Sequence, residues 1–214
     1  MLMSRKKPRG RGPVVHLDRS RKARQIEAVV RDFRGGAPIA GLVTLDIGCG
    51  NGGISDWLAQ ANTHYGVDVA DQRRDDCAPF EFHQVSDEHL PFADATFDLV
   101  VSNHVIEHVG DQRRHLTEIA RVLKPGGCAY LATPNRSSPI MEGHVGNQQV
   151  LRYRQMTPLF EQCGFAVREY ALDVAAHPER FAGEVAWARM LPGFVLKAAR
   201  PLFPSHIFML TPAA

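Results

Sequence analysis

The stretch Val43–Ser55, VTLDIGCGNGGIS, constrains the fold more than any other part of this 214-residue chain. A β-branched and apolar run ends in Asp46, and glycines then stand at 48, 50, 52 and 53. That order predicts a strand, a tight turn and the start of a helix. Glycines suit such a turn because it needs backbone angles that a Cβ forbids, and because a ligand must lie almost against the main chain. The loop is therefore expected to cradle a nucleotide-like cofactor.

Gly48, Gly50 and Gly53 also satisfy G-x-G-x-x-G, the spacing of dinucleotide-binding loops, with Asp68 as the acid further on. Asp46 favours a different ligand. Two residues before the first glycine, its carboxylate would repel a pyrophosphate and attract the ammonium and sulfonium of S-adenosylmethionine. Asp68 closes a second strand in HYGVDVA, where a carboxylate accepts both ribose hydroxyl protons and Val69 offers an apolar face to adenine.

With its D-x-G-C-G-x-G loop the chain resembles the class I methyltransferases that use S-adenosylmethionine, over roughly Val43 to Phe165. Three further blocks follow in order: LPFADATFDLVVSNHVIEHV from Leu90 to Val109, EIARVLKPGGCAYLATPN from Glu118 to Asn135, and LFEQCGF ending at Phe165. The resemblance implies that Asp46 and the loop residues Gly48, Cys49, Gly50, Asn51 and Gly52 hold the methionine portion. Asp68 is then the ribose residue. Val69 with Ser86, Asp87 and Glu88 serves the adenine region, and Asn103 serves the methionine side or the substrate edge. Family members often carry an acid four residues before the leucine of LPF; here that residue is Ser86, followed by Asp87 and Glu88. The adenine contact therefore falls to the Ser86 hydroxyl, a shifted Asp87 side chain or backbone amides.

Composition fits one catalytic unit of ordinary size, with apolar residues at 44 % and no apolar run approaching the ~20 residues of a membrane-spanning helix. The four cysteines, 49, 77, 128 and 163, form no C-x-x-C pair, and with no apolar leader in view a cytoplasmic setting is expected. Cys49 reads as a small residue tolerated near the cofactor rather than a nucleophile. Nine of the 25 basic residues fall within the first 24 positions, so residues 1–20 read as a basic, disordered tail and residues 21–214 as the methyltransferase domain. Such a tail has the charge to meet RNA or an anionic membrane, but no aromatic interleaves with it through Arg24, and nucleic acid is not the expected partner.

Alternating patterns predict helices near 21–33, 53–61, 111–123 and 148–163, and strands at 42–47, 64–69, 80–85, 97–102 and 127–133, with Lys124-Pro-Gly-Gly127 as a sharp helix stop. Phe165–Val174 reads as a sixth strand and Ile207–Thr211 as a seventh, antiparallel one by analogy with the family. The expected fold is α/β, Rossmann-like and doubly wound, with a seven-stranded, mostly parallel sheet and an antiparallel last strand. Residues 175–204 are expected to form a helical insertion that covers the substrate, touches a membrane surface, or packs on the sheet. Ligands of such sheets lie at the carboxyl ends of the strands, where the glycine loop, Asp68, 86–88 and 102–104 would converge.

In this family a nucleophile displaces the sulfonium methyl group in line, and neutral S-adenosylhomocysteine leaves. Alignment alone is worth about 7–11 kcal/mol of barrier, so a base is needed only for a hydroxyl or a protonated amine. His104, His144 and His108 are the candidates near neutral pH; His108 also reads as a structural residue of the turn. His104-x-x-Glu107-His108 matches the H-x-x-E-H zinc pattern, but no third ligand is assigned and no metal is expected. Some related O-methyltransferases hold a divalent metal with E-x-x-E-H at this place, where His104 here replaces the first glutamate. The expected activity is methyl transfer to oxygen or nitrogen of a small-molecule, lipid- or sugar-linked acceptor. The alternative is a cofactor-binding partner or regulatory protein without turnover; oligomeric state is not legible.

Overall fold

A computed structural model describes residues 19–86, 88–135, 149–170 and 205–213. The elements run α1 (Arg19–Phe33), β1 (Val43–Ile47), α2 (Ser55–Ala59), β2 (Thr63–Asp68), β3 (Glu81–Gln84), β4 (Phe97–Asn103), α3 (Gln112–Val122), β5 (Leu123–Pro134), α4 (Tyr153–Gln162), β6 (Phe165–Tyr170) and β7 (Ser205–Pro212). Seven strands form one sheet in the order β3-β2-β1-β4-β5-β7-β6, parallel from β3 through β5. The last strand, β7, inserts antiparallel between β5 and β6, as expected.

Helices cover both faces, and β4 shows why its apolar run is continuous. Val100 packs into the cluster that contains Leu116, Ile119 and Phe160, whereas Leu99 and Val101 pack into the one that contains Ile26, Val30 and Leu58. A strand buried on both sides has no polar alternation to show. In α3, Asp111 caps the first turn by accepting from the Arg114 amide at 3.0 Å, and the buried stripe His115, Leu116, Ile119, Val122 follows helical spacing. Among the described residues no helix is long and apolar enough to cross a membrane.

Several boundaries differ from expectation. Helix α2 is only five residues long, because residues 51–54 are taken up by turns of the glycine loop. Helix α4 starts at Tyr153 rather than 148, with the Arg152 amide donating to the Gln155 side chain at 3.0 Å. Lys124-Pro-Gly-Gly127 belongs to β5 rather than forming a loop after α3: Phe97 pairs with Leu123 while Leu99 pairs with Cys128, so the tetrapeptide bulges. Gly127 permits this, since a Cβ there would lie 2.9 Å from the Phe97 carbonyl. Most of residues 1–20, Asp87, His144, the 175–204 insertion and the expected end of the sixth strand at 171–174 lie outside the described residues.

Candidate active site

The carboxyl ends of β1 to β4 surround a cleft of about 560 Å³. Gly48 borders it after β1, Asp68 and Val69 after β2, Ser86 and Glu88 after β3, and His104, Val105 and His108 after β4. Leu90, Val109, Gly110 and His115 belong to the same wall. This is the crevice in which open α/β sheets place their ligands.

The glycine loop is built by backbone bonds. Amides of Gly48 and Cys49 both donate to the Val67 carbonyl, at 2.8 and 3.1 Å, and the Gly52 amide donates to the Cys49 carbonyl at 2.9 Å. Gly48, Gly50 and Gly52 have φ of 71°, 52° and 79°. The Asp68 carboxylate closes the loop from β2, accepting from the Gly50 amide through Oδ2 and the Val69 amide through Oδ1, each at 2.7 Å. Val69 is the large apolar side chain left exposed among the described residues, at 67 %.

Asp46 lies beneath the loop rather than on the cleft wall. It is buried, and its Oδ2 accepts from the Ser55 hydroxyl at 2.8 Å, which ties β1 to the first residue of α2. The Asn103 side chain closes β4, and its Oδ1 is buried without a partner among the described residues. Cys49 is buried in the loop; burial, with Asp46 and Asp68 nearby, pushes its thiol up to about 12, so it is not a thiolate at neutral pH. Asn51 Oδ1 accepts from the Gly53 amide at 3.2 Å, inside the loop.

Glu88 borders the cleft, but its Oε1 accepts from the amides of Gly110 and Asp111 at 2.8 and 3.0 Å, and these bonds hold its carboxyl below the ordinary range. Its role in the structure is to tie the 86–96 segment to the start of α3. A second tie lies behind it. Arg121 donates to the Leu90 and Phe92 carbonyls and to Glu118, and that Arg121 contact depresses the Glu118 carboxyl to about 2.

His104 lines the cleft with a φ of 59°, a conformation that costs a non-glycine residue energy. Its amide donates to the Ala132 carbonyl at 2.9 Å. Its Nδ1 stands 3.4 Å from Oε1 of Glu107, whose side chain is almost wholly buried. His108 is exposed and closes a turn to the Val105 carbonyl. His115 escaped the sequence reading although it sits on the apolar stripe of α3, which is the signal that would have found it. Its Nε2 lies 3.3 Å from the Ser102 hydroxyl.

Residues 45–131 match the family model described as methyltransferase domain. Within these residues the chain carries the methyltransferase domain and is similar to S-adenosylmethionine-dependent methyltransferases. It is similar to the methyltransferase named "Ubiquinone biosynthesis O-methyltransferase" of Rhizobium rhizogenes, 36 % identical over 116 residues, which are 50 % of this chain and 47 % of that one. Over 143 residues it is 34 % identical to a Mycolicibacterium smegmatis protein named "Probable S-adenosylmethionine-dependent methyltransferase", covering 61 % of this chain and 54 % of the other. The chain spans about half the length of these curated relatives. The crystal structure of a Mesorhizobium loti S-adenosylmethionine-dependent methyltransferase shares the fold, with a TM-score of 0.59, 17 % identity, and coverage of 84 % of this chain and 95 % of that one.

Proposed function

We propose that this methyltransferase transfers a methyl group from S-adenosylmethionine to oxygen or nitrogen of a small-molecule, lipid- or sugar-linked acceptor. The observation that carries the reading is the meeting, at one cleft, of a positive-φ glycine loop, the Asp68 carboxylate and exposed Val69 with His104. The donor set suits the cofactor: a loop with positive φ at Gly48, Gly50 and Gly52, a carboxylate with lone pairs to spare for ribose hydroxyls, and an apolar face for adenine. Relatives named as O-methyltransferases favour oxygen as the acceptor atom. Four free cysteines support a reducing, cytoplasmic setting, and we read residues 21–214 as one catalytic unit.

When bound, S-adenosylmethionine supplies an electrophilic methyl group. The chain's own residues bind, orient and exclude water. Asp46 acts from below by fixing the loop through Ser55, the Gly48–Gly52 loop holds the methionine end against its backbone, and Asp68 receives the ribose. Val69, Ser86, Asp87 and Glu88 border the adenine region, with Asn103 toward the methionine side. His104 or His144 orients or deprotonates the acceptor, and His108 stands by at the turn.

Calorimetric titration with S-adenosylhomocysteine, with NAD as control, tests the reading. Micromolar binding of the thioether alone is expected; binding of NAD alone, or of neither, overturns it. Binding without methyl transfer to any of a varied acceptor set would favour the non-catalytic partner. Asp68→Ala should weaken that binding by about 1–3 kcal/mol, roughly fivefold to 150-fold in Kd, because it removes a charged acceptor from both ligand and loop. Unchanged affinity would remove Asp68 from the cofactor site.

A further inference from the structure

The region behind His104 holds a buried acid that the proposed function does not use. The Glu107 side chain is 1 % exposed, yet among the described residues no lysine or arginine pairs with it. Its Oε2 accepts from the buried Thr133 hydroxyl at 3.3 Å, and its Oε1 faces Nδ1 of His104 at 3.4 Å. Its backbone carbonyl accepts from the Gln149 amide at 2.9 Å, which fixes the turn that carries it. Burying a carboxylate is costly unless it is paired or hydrogen-bonded. Here the partners are a hydroxyl and an imidazole, and the imidazole belongs to a residue held at φ 59° on the cleft wall. A strained backbone at His104 and a buried carboxyl group at Glu107 therefore face each other.

We infer that Glu107 is the positioning residue for His104: by accepting from Nδ1–H it fixes the imidazole tautomer and leaves Nε2 as the free proton acceptor toward the cleft. The inference rests on the proposed methyl transfer to a hydroxyl. In that step the acceptor O–H proton passes to Nε2 as the oxygen's electron pair forms the new O–CH3 bond. The bonding pair of the S–CH3 bond returns to sulfur, giving the neutral thioether. Through its contact with Nδ1–H, Glu107 holds the imidazolium that results. A separation of 3.4 Å is longer than a formed hydrogen bond, and such catalytic pairs are commonly long before substrate binds and tighten afterwards. Thr133 keeps the second carboxylate oxygen aligned. The arrangement also gives the Glu107 carboxylate a role that needs no metal ion, although the same stretch spells H-x-x-E-H.

The tautomer can be read without knowing the acceptor. In 15N-histidine-labelled protein, long-range proton–nitrogen correlations at about pH 8 should show His104 protonated on Nδ1, the minor form of free histidine. The His104→Gln spectrum supplies the assignment. Glu107→Leu should shift His104 to the Nε2–H form; should that variant not fold, the wild-type tautomer alone decides. Nε2–H in the wild type, or an unchanged Nδ1–H form in Glu107→Leu, overturns the inference. So does saturation of the His104 resonances by one equivalent of Zn2+ or Mg2+, which would make the pair a metal site. S-adenosylhomocysteine added to the same sample separates the two readings: absent binding sinks the methyltransferase proposal and leaves the tautomer result standing.

Discussion

Lowering the pH from 7 to 5 should remove about 4 kcal/mol of folding stability, through two buried histidines that stay neutral in the native state. His64 on β2 is buried, with Nδ1 2.7 Å from the Thr44 hydroxyl and its ring edge-on to Phe80; burial lowers its pKa to about 3. His115 on α3 is buried beside Ser102, and burial lowers its pKa to about 4 against the opposing pull of Glu88 and Glu107. In the unfolded chain both titrate near 6.5, so between 6.5 and about 4 the unfolded state binds protons that the native state refuses. Stability therefore falls as pH falls through that window, by about 2 kcal/mol for each histidine at pH 5. Glu118 acts lower down. Its depressed carboxyl loses its contribution only as pH drops from about 4.5 toward 2. Urea denaturation at pH 7 and 5 measures the difference. His64→Gln should recover about half of it, and a wild-type stability that is flat from pH 7 to 5 would show that neither ring is held neutral.

These two histidines also mark where the sequence stops being readable. The glycine loop and the strands follow from local rules: apolar runs, a φ that only glycine adopts cheaply, and one breaker per turn; the antiparallel direction of β7 follows from the family resemblance. His115 follows from a helical stripe once a histidine is allowed on it. The path of Lys124-Pro-Gly-Gly127 does not. Its residues are ordinary helix-stop chemistry, and only the pairing partner Phe97, far away in the chain, decides that the stop is a bulge inside a strand. Asp46 shows the same limit at the site. Its place before the loop was legible, but the burial that turns Oδ2 to Ser55 depends on how α2 packs. The neighbourhood of Glu107 is less local still, since Thr133 joins it from β5 and the strained φ of His104 leaves no trace in composition.

Gly48→Ala should cost about 2–5 kcal/mol of stability and abolish detectable S-adenosylhomocysteine binding, for two separable reasons. The first is conformational: φ at Gly48 is 71°, where a Cβ crowds the following carbonyl at a cost of about 1–2 kcal/mol. The second is steric. A Cβ at this position would lie 2.5 Å from Cγ2 of Val105, so the wall that begins at His104 must move, at a cost of about 1–3 kcal/mol. Gly41 provides the control, with φ at 69° but nothing within 4 Å of a built Cβ, so Gly41→Ala should show only the first term. In the double variant Gly48→Ala, Val105→Ala the steric part should be relieved, leaving a coupling energy of about 1–3 kcal/mol between the two positions. Recovery of stability without recovery of cofactor affinity would place Val105, which itself borders the cleft, among the residues the cofactor needs. Recovery of both would mean that the closeness of loop and wall serves packing alone. A single Gly48→Ala variant with wild-type stability and affinity would refute the close approach on which the reading of this loop depends.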